Sequence, residues 1–297
     1  MSSETLTPDS LDTKVRRNDG ARRVKTIRAS SFSPFKLFDD LAVLARYRDL
    51  LFTLSAHRVK VRYKQSVLGI AWAIVQPLSL MLIYTLIFTL IARVPTAGDV
   101  PYPVLLYTAL LIWTFFSTAL TNATNGLVSH NHLVTKVYFP REILPLTYVV
   151  AALFDLLIAS PVLFGLMIYY RVPLTLNALY AVPIVLVMTI FLTAISLIFS
   201  AAQVRFRDIG MAMPLLLQIW MFASPVVYPL SAVPERFRDL YMLNPMVGVV
   251  ENFRRVIVQA APPDFYQLGV SALIAAILLP LAYIFFKHVE ATVADVI

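Results

Sequence analysis

The sequence predicts an all-α membrane protein with an N-terminal amphipathic interface helix, six transmembrane helices and a re-entrant helical hairpin between the fifth and sixth. Three observations carry this. The 297 residues are 59% hydrophobic and 14% charged, with a mean hydropathy of +0.75, against about 25% charged residues in a soluble domain. Six apolar runs recur along the chain, each close to the ~20 residues that cross a ~30 Å hydrocarbon core. A basic cluster, Arg58, Lys60, Arg62 and Lys64 with Arg46 and Arg48 upstream, stops at Gln65-Ser66, and no charge follows until Arg93. A basic stretch that gives way abruptly to a span-length apolar run marks a membrane boundary with its basic side in the cytoplasm.

Residues 1–34 are rich in Ser, Thr, Asp, Lys and Arg, poor in aromatics, and carry no apolar signal-peptide core. They are expected to form a disordered cytoplasmic tail. Over 35–56, Leu37, Leu41, Leu44 and Leu51 fall at helical spacing, with Lys36, Asp39, Asp40, Arg46, Asp49 and Thr53 on the other side. That pattern suits a helix lying in the membrane interface. Residues 57–297 form the membrane domain, with apolar runs at 66–92, 103–124, 143–170, 176–202, 209–230 and 267–286.

Basic residues orient these runs. Fourteen of the 25 Lys and Arg lie within residues 1–64, beside seven acids. Adding Lys136, Arg141, Arg205, Arg207 and Lys287 gives 19 on the side of the N-terminus. Six lie opposite: Arg93, Arg171, Arg236, Arg238, Arg254 and Arg255. The positive-inside rule therefore puts both termini in the cytoplasm. The net charge of +8 is explained by a juxtamembrane cluster of the kind that attracts anionic lipid, without nucleic acid.

Four of the six outer arginines sit in 231–259. There, Asn244-Pro245 reads as an N-cap followed by proline at the first helical position. Behind it Met246, Val249, Val250, Phe253 and Ile257 make an apolar face, and Glu251, Arg254 and Arg255 a polar one. Glu251 is spaced to pair with either arginine. Pro234 opens a shorter helix through Leu243. Two helices too short to span predict a hairpin that dips into the outer leaflet, protected by surrounding protein. On the cytoplasmic side, 125–142 (NGLVSHNHLVTKVYFPRE) and 203–208 (QVRFRD) connect the spans.

Little in the chain suggests catalysis. The absence of cysteine excludes disulfides and thiol chemistry. His130 and His132 have no acidic neighbour with which to hold a metal. No GxxxxGK[ST] occurs, so the chain has no phosphate-cradling loop of that type. Asp155 is the single acid within a span. It reads either as a functional carboxylate or as a helix-contact group, since no basic residue within the spans is placed to pair with it. Trp72, Tyr84, Trp113, Phe116 and Trp220 are candidates either for interfacial belts or for a sugar-stacking channel lining. Pro77, Pro145, Pro161, Pro214, Pro225 and Pro280 predict kinked spans.

Four stretches, VRYKQSVLGIAWAIVQP (61–77), NHLVTKVYFPREILPL (131–146), VRFRDI (204–209) and LNPMVGVVENFRR (243–255), resemble in content and order the permease subunit of type-2 ABC exporters of bacterial surface polysaccharide. Among these the chain is most similar to O-antigen and teichoic-acid exporters. The resemblance covers about residues 35–290. It implies a non-enzymatic half-channel in the bacterial inner membrane that works as a homodimer with two copies of a separate ABC ATPase. ATP and Mg would be bound by that partner, and no cofactor by this chain. It further implies that Lys136, Phe139, Pro140 and Arg141, with Arg205, Arg207 and Asp208, contact the ATPase. Asn244, Pro245, Glu251 and Arg254 would belong to the outer gate. The implied substrate is a polysaccharide linked to undecaprenyl diphosphate, with Arg58, Arg62 and Lys64 at the inner mouth facing either the diphosphate or membrane lipid. Rival readings are a permease of the same type for teichoic acid, capsule, lipid or drug, an integral membrane glycosyltransferase or acyltransferase, and a channel without an energy source.

Overall fold

A computed structural model describes residues 46–64, 66–91, 100–130, 132, 136 and 139–296. The tail expected over 1–34 and the first half of the interface helix expected over 35–56, residues 35–45, lie outside the described residues. Every regular element described is helical. The principal helices are α1 (Arg48–Lys64), α2 (Trp72–Leu86), α3 (Tyr102–Ser129), α4 (Ile143–Tyr169), α5 (Ala181–Arg205), α6 (Asp208–Phe222), α7 (Glu235–Met242), α8 (Pro245–Ile257) and α9 (Phe265–Val296).

α1 runs to Lys64, well past the predicted end near residue 55. Between α1 and α2, Gly69 takes φ +51°, a conformation glycine adopts without penalty. α3 is the central post: Leu106, Tyr107, Leu110, Ile112, Phe116 and Leu120 are wholly enclosed. Its neighbours are α2, α4, α5, α6 and α8. The Tyr107 hydroxyl donates to the Ala159 carbonyl of α4 at 3.0 Å. A second core joins α5 to α9 through Leu197, Ala201, Ala282 and Phe286. Pro145 sits in the first turn of α4, where its missing N–H costs nothing, while Pro77, Pro161, Pro214 and Pro280 fall inside helices.

Five segments among the described residues are long and apolar enough to cross a membrane: Gly69–Thr89, Tyr102–Ser129, Ile143–Tyr169, Leu176–Arg205 and Phe265–Glu290. The run expected as a span at 209–230 differs. It forms α6, a helix of 15 residues, about 22 Å long, and then turns through Ala223 to Pro229. Proline disfavours helical geometry in the residue before it, and Ser224-Pro225 stops α6 where hydropathy alone continues.

A broken helix leaves carbonyls without partners, and Arg254 supplies them. Its guanidinium donates to the carbonyls of Pro225 at 2.7 Å, Tyr228 at 3.1 Å and Leu105 at 3.1 Å, and also to that of Val226. The polar face expected for α8 is therefore overturned at this residue: Arg254 is 5% exposed. Glu251 lies 3.8 Å away. One flat fork of five N–H donors serves four acceptors, an arrangement an ammonium cannot reproduce. Replacing Arg254 by Met is expected to cost about 3–5 kcal/mol by stranding these carbonyls, with Arg254→Lys only partly restoring the loss. Thermal melting of the purified chain in nanodiscs checks this, and an unchanged midpoint for Arg254→Met would refute the role.

Candidate functional site

The last turn of α1 leans on α4. Arg62 forms an ion pair with Asp155, and the Tyr63 hydroxyl donates to the other carboxylate oxygen at 2.7 Å. Asp155 lies about 18 Å along α4 from Ile143, so α1 delivers a cation deep beside a span. Burial, together with the hydrogen bond and charge of Asp155, raises the Tyr63 phenol to about 12, which keeps it a neutral donor. One turn earlier, Arg58 donates to Thr147 Oγ1 at 2.5 Å and lies 3.7 Å over the Tyr148 ring. It also meets His130 Nε2 at 3.3 Å, while His130 Nδ1 faces the Gly126 carbonyl at 3.0 Å. That geometry requires Nδ1–H and an accepting Nε2, so the ring is neutral. Burial and then the Arg58 charge lower its basicity. The isolated Asp155 expected from sequence is thus paired, by a residue 93 positions away. Of Arg58, Arg62 and Lys64, expected from the resemblance at an inner mouth, only Lys64 is exposed.

These contacts close one side of a cavity of about 190 Å³ between α1, α2, α3 and α4. Its polar wall includes Asp155, Arg62, Gln76, Thr118 and Asn122, and Trp72 forms an aromatic wall. Trp72 is 50% exposed, whereas Trp113 and Phe116 are enclosed within the chain. Phe116, Phe191 and Trp220 form a ring cluster with centroids 5.0–6.1 Å apart. Tyr84 is half-buried and continues through Phe88 to Tyr102 in a second series of rings.

The end of the bundle that carries residues 139–142 and 203–208 is braced twice. Glu142, which is buried, binds Lys287 at 3.0 Å and accepts from the Tyr283 hydroxyl at 3.3 Å. Burial raises its carboxyl, with the Lys287 charge opposing. Lys287 also reaches Glu290 at 2.9 Å, and the Arg141 guanidinium donates to the Glu290 carbonyl at 2.8 Å. With Phe139 also buried, the Phe-Pro-Arg-Glu segment is clamped to α9. The second brace is Gln203. Its amide donates to the Arg207 carbonyl at 3.2 Å and to Asn125 Oδ1 at 3.3 Å, and its carbonyl accepts from the Gly210 N–H at 2.6 Å. A Cβ at Gly210 would come within 2.7 Å of both the Asn125 and Gln203 side chains. Arg205, Arg207 and Asp208 are consequently presented outward on a fixed turn, and Lys136 is also exposed.

At the opposite end Asn244 caps α8 as predicted, accepting from the Met246 N–H at 3.1 Å. It also accepts from Trp220 Nε1 at 3.1 Å and donates to the Ala223 carbonyl and to Ser224 Oγ. Pro245 occupies the first turn. Sequence reading missed Gln203 and the partners of Asp155, because nothing local in the sequence marks either. A double-mutant cycle tests the α1–α4 link. Arg62→Met and Asp155→Asn should each destabilise, and the double variant should lose about 1–3 kcal/mol less than the sum of the two single losses. Strict additivity in the melting free energies would mean that the pair is not coupled.

Residues 49–258 match the family model described as the ABC-2 type transporter. The chain is similar to the O-antigen export system permease protein RfbA of Myxococcus xanthus, 33% identical over 167 residues, which are 56% of this chain and 63% of that one. It is also similar to two proteins of the same description from Klebsiella pneumoniae. One is 33% and the other 32% identical over 162 residues, in each case 54% of this chain and 61% of the relative. The matched stretch spans less than two thirds of the length of each. The family match covers α1 to α8, including the cavity, the turn braced by Gln203 and the Arg254 junction, and the chain belongs to the ABC-2 type transporter family.

Proposed function

We propose that this chain is the membrane-spanning subunit of an ATP-driven exporter that moves an undecaprenyl-diphosphate-linked polysaccharide of O-antigen type across the bacterial inner membrane. Two copies form the permeation path, and two copies of a cognate ABC ATPase bind and hydrolyse the nucleotide. Both termini face the cytoplasm. α6 with the turn after it makes a further, shortened crossing, and α7 and α8 form a re-entrant hairpin at the outer mouth around Asn244, Pro245, Glu251 and Arg254. The family match and the relatives' role as O-antigen export permeases support this reading.

The observation that carries it is the double bracing of one end of the bundle. A transmission surface must not yield when pushed. The segment with Phe139, Pro140 and Arg141 is tied to α9 through Glu142, Lys287 and Glu290. The turn with Arg205, Arg207 and Asp208 is tied to α3 and α5 through Gln203. A load applied to either is passed directly into long helices. Among the inner-mouth cations, Lys64 is the one left to meet a diphosphate or anionic lipid, because Arg58 and Arg62 are engaged by α4.

The test is co-purification with the cognate ATPase, followed by hydrolysis and export measured together. The ATPase is expected to co-purify. Arg141→Ala should cut export about tenfold while hydrolysis persists, the loss of roughly one charge-assisted contact, and Pro140→Ala should lower export in the same direction. If no ATPase co-purifies and deletion of the chain leaves polysaccharide export unchanged, the exporter reading is wrong.

A further inference from the structure

The cavity between α1, α2, α3 and α4 has a chemistry that the inner-mouth reading of Arg62 does not explain. A site for a diphosphate needs uncompensated positive charge. Here the Arg62 cation is committed to Asp155, and the carboxylate itself lines the space. An anion entering would meet a negative group and would have to compete for a cation already paired. The cavity therefore selects for a neutral ligand.

Its walls specify the ligand further. Each Asp155 oxygen accepts one bond, from Arg62 or Tyr63, and a carboxylate oxygen can accept a second. Asn122 spends one N–H on the Thr118 carbonyl, which leaves its other N–H and its side-chain carbonyl. Gln76 adds a further amide at the rim. Thr114, also in the wall, behaves unlike its neighbours on α3. Thr108, Thr121 and Thr124 return their hydroxyls to the carbonyl one turn back, whereas the enclosed Thr114 hydroxyl has no partner among the described residues. Trp72 lines the same cavity, with half its surface open.

Donors, acceptors with spare capacity and one aromatic wall, in a space with cancelled charge, complement a sugar ring. Its hydroxyls both donate and accept, and its C–H face packs on an indole. We propose that this cavity binds a single neutral hexopyranose residue, with Asp155, Asn122 and Gln76 on its hydroxyls and Trp72 against its ring. The biological source of that ring, the exported polysaccharide, rests on the exporter reading. The binding itself does not. Arg62 and Tyr63 are positioning residues: they hold the carboxylate.

The test uses the full chain in nanodiscs, without ATPase or nucleotide, and a methyl hexopyranoside carrying a photoreactive diazirine. After irradiation, labelled peptides are mapped by mass spectrometry. Saturable labelling is expected in 62–77 and 111–122, displaced by the unlabelled hexopyranoside and not by inorganic diphosphate. Trp72→Ala and Asn122→Ala should each weaken it about fivefold, and Trp72→Phe, which keeps an aromatic wall, should retain it. Melting curves of each variant identify any that fails to fold. Displacement by diphosphate but not by sugar, or labelling that never saturates, overturns the proposal. Either result leaves the exporter reading standing, since no ATPase takes part. Conversely, saturable labelling in a chain that fails the co-purification test keeps the site and removes its polysaccharide.

Discussion

The constraint on which this architecture depends is that a backbone polar group in an apolar surround must find a partner. Continuous helices meet it automatically. The chain breaks one helix after Phe222, and the consequence is Arg254. A guanidinium placed on α8 gathers the carbonyls of Pro225, Val226 and Tyr228 and adds that of Leu105 at the start of α3. The break, the short helix behind it and the central post thereby become one unit. Asn244 does the same from the other side, bonding the end of α6 at Ala223 and Ser224 while it caps α8.

The same rule, applied to charge, organises the other end. Arg58 and Arg62 are half-buried and matched to Thr147, Tyr148, His130 and Asp155. Glu142 is buried against Lys287. Internal matching removes these groups from the surface charge. Among the described residues of this end, Arg46, Arg48, Lys60, Lys64, Lys136, Arg205, Arg207 and Asp208 remain outward. A basic cluster that looks uniform in sequence thus divides into structural charges and presented ones. Only the second kind is available to a partner or to lipid.

That division marks the limit of what the sequence discloses. Four of the apolar runs after the first basic cluster, together with 66–92, are legible because span-length hydropathy is a local property, and five helices answer to them. The cap at Asn244-Pro245 is legible for the same reason. The helix of the fifth run ends at Phe222, short of residue 230, and hydropathy does not mark that end because Ala223, Val226 and Val227 keep it high across the break. The signal that was present is Ser224-Pro225 followed by Pro229. Periodicity assigns Arg254 to a polar face and cannot know that four carbonyls from elsewhere converge on it. Asp155 looked solitary because its partners come from α1, more than ninety residues earlier. Pairings at such separation are set by helix packing, and no local pattern encodes them.

The walls of the cavity are unequal in stiffness, and this follows from the same pairings. α1 is joined to α4 by two arginines one turn apart, so sliding α1 along α4 would break both contacts together. α3 is locked on every side by its core. α2, in contrast, buries only Pro77 and Met81, carries proline in its interior and passes into a π-helical segment at Ile87–Ile91. Proline and π-helical geometry both weaken the i→i−4 ladder. Three walls are therefore fixed to one another by buried charge and packing, and the fourth is held by little buried surface. Displacing α2 changes the distance from Trp72 and Gln76 to Asp155 at small cost, whereas displacing Asp155 relative to Arg62 and Tyr63 breaks a partly buried ion pair and the hydrogen bond beside it. The carboxylate and its two donors form the reference point of the cavity, and the aromatic wall is the part that can give.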